Sequence, residues 1–231
     1  MTVKQYLATP KLMVCSAKIL AIICAKTTIL RLDRTIFHPQ GGGQKADKGL
    51  IGSAVVTHVT HNADCVDHQV ESAEGLAVGD TVQIKLDEDW RRLNAVYHTA
   101  GHLLAAVVEA IYPGLHAVSG HQWPGEGRVE FSGNTPATQI SAEEIHARLT
   151  ADLAQSLSVT IESDPFQTRT IRIGDYPAIP CGGTHVGQLG EIASILVTGI
   201  KAKSGRIRIS FEAQPSPGHP QASFTNLEVR T

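Results

Sequence analysis

The chain is poor in aromatic residues, at 5%, and holds only four cysteines in 231 residues. It also lacks an excess of charge: 20 Lys+Arg stand against 22 Asp+Glu, a formal net charge of −2. Each scarcity excludes something. Sparse aromatics argue against a single-strand binder built on base stacking. Cys15, Cys24, Cys65 and Cys181 are too few and too scattered for a disulfide framework, and they suit a reducing cytoplasm. Balanced charge means that any nucleic-acid contact comes from local clusters rather than bulk attraction. No run approaches the roughly 20 apolar residues of a membrane span. The longest early run, residues 19–25, lies between Lys18 and Lys26 and reads as a buried strand rather than a secretory signal. A hydrophobic content of 42% with 18% charged residues is that of a globular chain. Its length suits one large domain or two small ones, each with its own core.

The pattern divides the chain in two. Residues 1–86 carry β-branched stretches at 14–25, 27–32, 50–60, 65–70 and 81–86, separated by turn formers, which predicts a small β-barrel-like or sandwich domain. Phe37-His38-Pro39-Gln40-Gly41-Gly42-Gly43-Gln44 forms an unusual loop within it. From about Glu88 to Ile111 the bulky residues recur at three- and four-residue steps, which predicts a long helix. Acidic Asp87, Glu88 and Asp89 mark its start, and Pro113-Gly114 its end. Ser141-Ala142-Glu143-Glu144 reads as a capping box opening a second helix that runs to about Leu157. Strands are expected at 116–121, 128–131, 159–163, 168–173, 192–201 and 206–212, with an irregular tail at 215–220. Residues 87–231 thus read as an α+β domain, an antiparallel sheet packed with two helices.

Two residue pairs carry candidate chemistry: His98 with His102, and Cys181 with His185. On a helix His98 and His102 stand about 40° apart and one turn above each other, so both imidazoles can face one ion. Ala95, Ala105 and Ala106 flank them, leaving room for something other than side chains. The helical pair alone means little, because 11 histidines in this length give roughly 0.5 such pairs by chance. The Cys-x-x-x-His pair is rarer, at roughly 0.2 expected, and its Gly182-Gly183 lets the backbone turn tightly against a ligand. Three nitrogens and a thiolate suit tetrahedral zinc. The residues alone leave two readings open: a zinc site, or unrelated surface histidines and a buried thiol. A metalloprotease is set aside because Thr99 stands where a general-base Glu is needed. The pairs lie too far apart in the chain for a zinc finger.

Tyr97-His98-Thr99-Ala100-Gly101-His102-Leu103-Leu104, followed far downstream by Cys181-Gly182-Gly183-Thr184-His185-Val186, resembles the editing domain of alanyl-tRNA synthetase. The likeness extends to Arg128-Val129-Glu130-Phe131, Gly190-Glu191-Ile192 and Ser204-Gly205-Arg206-Ile207-Arg208-Ile209. The loop from Phe37 to Gln44, with Asp47 and Gly49, is similar to the glycine-rich motif that precedes that domain. The resemblance covers about residues 35 to 212. With no aminoacylation domain ahead of these motifs, a free-standing member of the AlaX type is expected, in the longer form that keeps the glycine-rich domain.

This resemblance implies a threonyl/alanyl-tRNA synthetase editing-domain fold and hydrolysis, in trans, of seryl or glycyl esters on alanine tRNA. It implies that His98, His102, Cys181 and His185 are the zinc ligands and the catalytic set. Gly41, Gly42, Gly43 and Gln44 would line or close the pocket. Thr99 and Thr184 are candidates to bond a seryl hydroxyl, and the backbone N–H groups of Gly182, Gly183 and Thr184 to hold an oxyanion. Lys201, Lys203, Arg206 and Arg208 form the densest basic cluster for tRNA phosphates, with Arg91 and Arg92 beside the helix start. Two departures bear on specificity: Gly101 stands where relatives carry a larger residue, and Gly120 where they often place a glutamine. Two rival readings remain, a non-catalytic zinc-containing tRNA-binding module and a metal-dependent hydrolase of small esters.

Overall fold

Asp87 is the seam between two ways of burying apolar surface. In the computed structural model, which describes residues 1–203 and 205–217 (Lys203 by its backbone alone), the part before Asp87 is built on strands, with one short 3-10 turn at Gln5–Leu7, and both α-helices follow it. Strand β1 (Val3–Lys4) leads into β2 (Val14–Cys24) and β3 (Thr28–Leu32), and β4 (Arg34–Thr35) pairs in parallel with β1. Strands β5 (Gly49–Ile51), β6 (Ala54–Asn62), β7 (Cys65–Val70) and β8 (Thr81–Leu86) complete this half. Six of them close into a barrel in the order β2-β3-β7-β6-β5-β8, each joined antiparallel to the next. Closure leaves no free edge in this half-size sheet. The interior is filled by alternate residues such as Ile19, Leu30, Leu32, Ile51, Val59 and Ile84.

Two expectations change here. The segment at 19–25 is not a buried strand: Ile19 is buried but Leu20 is 42% exposed, because a barrel strand turns alternate residues outward. The stretch at 50–60 is two strands, since Gly52, at φ +58°, reverses the chain so that Ile51 pairs with Ala54.

Helix α1 (Glu88–Ile111) starts where the Asp87 side chain accepts a hydrogen bond from the Trp90 amide. Strands β9 (Leu115–His121) and β10 (Arg128–Gly133) follow, then α2 (Ala142–Ala154), whose Ser141 cap accepts from the Glu144 amide. Glu144 bonds Tyr112 Oη instead of closing the capping box, and the helix ends three residues before the expected Leu157. Strands β11 (Val159–Glu162), β12 (Thr170–Ile173) and β13 (Ile179–Pro180) form a small antiparallel sheet of their own. The long hairpin β14 (Ile192–Lys203) and β15 (Arg206–Pro215) joins β10 and β9 in a four-stranded antiparallel sheet, order β14-β15-β10-β9. The expected single sheet is therefore two. β15 reaches Pro215, so the expected irregular tail starts later, and residues 218–220 lie outside the described ones.

The bulky stripe of α1 (Val96, Leu103, Leu104, Val107, Val108) packs with Phe131, Ile145, Ile209 and Phe211 in a second core separate from the barrel's. Arg91 ties the halves together. Its guanidinium, 1% exposed, forms an ion pair with Asp47 and donates to the carbonyl oxygens of Ile36 (2.6 Å) and Pro10 (2.8 Å). A buried arginine so committed is not a phosphate contact, contrary to the sequence expectation for this residue. Arg92 donates to the Ser216 carbonyl.

Candidate metal centre

One turn of α1 separates His98 from His102, and their rings stack at 4.9 Å with 14° between planes. From the other side, β13 pairs Pro180 with Thr170 and delivers Cys181 beside them. The chain then turns through Gly182 and Gly183 so that His185 closes the group, its ring 4.7 Å from His98 and 5.2 Å from His102. The turn passes very close to α1: a Cβ on Gly183 would lie 2.0 Å from His98 Cε1, so only glycine fits.

The ligand-capable atoms of His98, His102, Cys181 and His185 all lie within 4.8 Å of one another. Cys181 Sγ is 3.5 Å from His98 Nε2 and 3.2 Å from His185 Nε2. A tetrahedral zinc with bonds of about 2.0–2.3 Å spaces its ligand atoms roughly 3.3–3.8 Å apart. The hydrogen bonds around the cluster also select the tautomers a metal needs. Gln44 Oε1 already accepts from the Thr184 amide (2.8 Å), so His98 Nδ1 donates to it (2.6 Å) and Nε2 is left bare. The Thr99 hydroxyl donates to the Ala95 carbonyl (2.8 Å), so it accepts from His185 Nδ1 (3.2 Å), again leaving Nε2 bare. His102 Nε2 is buried with no hydrogen-bond partner. Three bare imidazole nitrogens facing one sulfur, away from water, form a donor set that fits a divalent cation.

Burial also keeps the three imidazoles unprotonated. Loss of water, helped by the neighbouring imidazoles, drives the His98 and His185 rings far below the ordinary histidine range, and burial lowers His102 to about 4. Burial pushes the Cys181 thiol up, opposed by the Gly183 amide, which donates to Sγ, and by the nearby Arg169 guanidinium. Arg169, 6% exposed, donates to the carbonyl oxygens of Cys181 and Leu7.

The other expected residues distribute unevenly. Gln44, wholly buried, supports His98 through Oε1 and the Thr184 hydroxyl through Nε2 (2.8 Å). Thr99 and Thr184 are both buried and take part in these supports, so neither hydroxyl faces open space. The amides of Gly183 and Thr184 are likewise committed, to Cys181 Sγ and Gln44 Oε1, and are not waiting oxyanion donors. Gly182 is exposed with nothing close to it. Gly41 bridges to Gln44 and Gly42 points outward, while Gly43 backs onto Gln122. Arg206 and Arg208 both pair with Glu130, and Lys201 is exposed; the Lys203 side chain lies outside the described residues.

A cavity of about 590 Å³ opens beside His102. Its walls are mostly small or apolar, including Gly101, Ala105, Ala106, Val118 and Ile171, and none of Gly41, Gly42, Gly43 and Gln44 lines it. Sequence reasoning passed over three features nearby. These are Gln122, in the cavity wall; Arg169, beside the thiol; and the pairing of both tryptophans with lysines. Lys48 Nζ lies 4.2 Å from the Trp90 ring, and Lys45 Nζ 4.8 Å from the Trp123 ring. Only the location of Lys45 and Lys48 just after the glycine loop gave any signal of the last.

Comparison with known proteins supplies the context. The model of the threonyl and alanyl tRNA synthetase second additional domain matches residues 168–210, the stretch from β12 through Cys181 and His185 into β15. The chain is similar to alanyl-tRNA editing protein AlaX-M of Pyrococcus horikoshii, 32% identical over 199 positions covering 84% of this chain and 89% of that protein. It is 28% identical to AlaX-L of the same organism over 234 positions, 91% of this chain and 58% of that protein. It is 31% identical to the alanine–tRNA ligase of Saccharopolyspora erythraea, over 78% of this chain and 23% of the ligase. The chain thus spans somewhat more than half of AlaX-L and about a quarter of the ligase.

Proposed function

Because the chain belongs to the family of alanyl-tRNA editing proteins of the AlaX type, we propose that it is an aminoacyl-tRNA deacylase that clears seryl or glycyl groups from mischarged alanine tRNA in trans. The observation that carries this reading is the cluster of His98, His102, Cys181 and His185, of which His102 lines a cavity of about 590 Å³ with room for an aminoacyl group. We read the cluster as a zinc site. Bound zinc supplies Lewis acidity toward an ester oxygen or a hold on the substrate's amino group. The chain's own residues do the rest. Gln44 and Thr99 fix the rings of His98 and His185, so the site is pre-organised. Ala105, Ala106 and Val118 in the cavity wall give an acyl group an apolar surface to rest against. In the reaction, water oxygen bonds to the acyl carbon, the ester carbon–oxygen bond breaks, and the ribose oxygen leaves with a proton.

The tRNA would be held by phosphate contacts. Lys201 and Lys203 remain in this reading from the expected cluster. Arg206 and Arg208 share one carboxylate, Glu130, which offsets part of their charge. Lys45 and Lys48 stand next to the loop that carries Gln44, and we add them as contacts for the acceptor end. The two apolar cores support treating residues 1–86 and 87–231 as two units, the first presenting Gln44 to the second. None of the four cysteines is in a disulfide, which fits a cytoplasmic setting, and no described helix is long and apolar enough to cross a membrane. Deacylation of seryl-, glycyl- and alanyl-tRNA by the purified protein tests the reading. Turnover of the first two, abolished in His102→Ala with the fold intact, is expected; no turnover of any mischarged tRNA would overturn it.

A further inference from the structure

The polar groups in the cavity wall can be accounted for one at a time. Glu109 Oε1 accepts from the Ala117 amide at 2.7 Å. Ser119 Oγ donates to Glu130 at 3.3 Å, and Tyr176 Oη donates to Asp152 at 2.5 Å. Apart from His102, the remaining lining side chain with hydrogen-bonding capacity is Gln122, just past the end of β9. It is 5% exposed, and its Oε1 is buried without a partner. A buried carboxamide oxygen without a partner is costly, and such groups in native interiors mark strain, a functional role or a site for a bound water, ion or ligand.

The backbone goes to some length to seat this side chain. Three glycines from three segments enclose it. A Cβ on Gly43 of the loop, at φ +83°, would lie 2.0 Å from Gln122 Oε1. One on Gly120 of β9 would lie 2.0 Å from Nε2. One on Gly101, between the two helical histidines, would lie 2.5 Å from Cγ. The Gln122 amide also donates to the Gly43 carbonyl at 2.9 Å, fixing the strand end against the loop. Gly101 is thus the missing side chain whose volume Gln122 occupies, one residue from the ligand His102.

We propose that Gln122 is the specificity-determining residue of this site, its carboxamide hydrogen-bonding the side-chain hydroxyl of a seryl group held beside His102. The Nε2 end of the carboxamide, beside the cavity-lining Gly101 and Gly120, offers a donor that a seryl hydroxyl oxygen can accept and that finds nothing on a glycyl side chain. The proposal takes its site from the deacylase reading, but selectivity of binding can be read without turnover. The test therefore measures affinity, by calorimetry, for adenosine analogues carrying a seryl or a glycyl group on a 3′-amide in place of the hydrolysable ester.

Wild-type protein is expected to bind the seryl analogue about tenfold more tightly than the glycyl one, as one hydrogen bond to a buried amide implies. Gln122→Ala should abolish that preference while metal content stays the same. Gly101→Ala pushes a methyl onto Cγ of Gln122 and should erode the same preference. The double variant should be no worse than Gln122→Ala alone, because both act on one contact. Absence of a seryl preference in the wild type, or a ratio unchanged by Gln122→Ala, would overturn the proposal. Additive losses in the double variant would overturn it too. A preserved seryl preference in a protein that hydrolyses no mischarged tRNA would defeat the deacylase reading and leave this one standing.

Discussion

His68 in the barrel and His98 in the metal cluster are equally buried, yet they are opposite kinds of histidine. At His68 both ring nitrogens are used. Nδ1 donates to the Leu30 carbonyl (3.0 Å), and Nε2 accepts from the Thr35 hydroxyl (2.8 Å), which itself accepts from the Phe37 amide (3.1 Å). At His98 one nitrogen is tied to Gln44 and the other faces a sulfur and two further imidazoles. Burial alone therefore says nothing about function. The fate of the second nitrogen separates a structural histidine from a ligand.

The comparison can be broken most severely at His102. His102→Ala removes the ligand whose Nε2 has no other partner, and deacylation should fall by more than roughly a thousandfold, about 4 kcal/mol of barrier. Thermal unfolding of that variant should remain cooperative; residual activity near wild type would remove the distinction. The next largest effect belongs to the barrel. Burial holds His68 at about 4, below the ordinary 6.5, so its neutral form contributes stability that is complete above pH 6.5. That contribution declines as pH falls from 6.5 toward 4, by up to about 3 kcal/mol. His68→Gln should flatten this part of the stability–pH curve in denaturant titrations, and an unchanged slope would refute the assignment.

Smaller still is the effect of Gln44→Ala. It frees the His98 ring without removing a ligand, and metal affinity by competitive chelation should drop about 10–100-fold. Smallest is Thr35→Val, the barrel counterpart. It leaves His68 Nε2 and the Phe37 amide unpaired and should cost about 1–2 kcal/mol of stability, with metal affinity unaltered. A loss of metal there would mean that the two kinds of histidine are coupled after all.

Local signals carried much of the fold. Asp87 and Pro113-Gly114 bound α1 because capping and helix breaking act within one turn, and the 3.6-residue period put His98 and His102 on one face. Strand edges drifted by up to three residues, and the turn at Gly52 was hidden inside an apolar stretch. The supports of the site were not legible. Gln44 reaches Thr184 across 140 residues and His98 across 54, separations on which periodicity is silent. For the same reason the amides of Gly183 and Thr184 looked available until their partners were seen. Arg91 looked like a surface cation because nothing near it in the chain announces Asp47.

The central claim is that four side chains from α1 and the turn after β13 hold one metal ion. Zinc-edge X-ray absorption on protein purified without added metal tests it most directly. The account predicts one zinc per chain bound by one sulfur at about 2.3 Å and three nitrogens at about 2.0 Å, the sulfur signal vanishing in Cys181→Ser. A protein without zinc, or a coordination shell without sulfur, would contradict it.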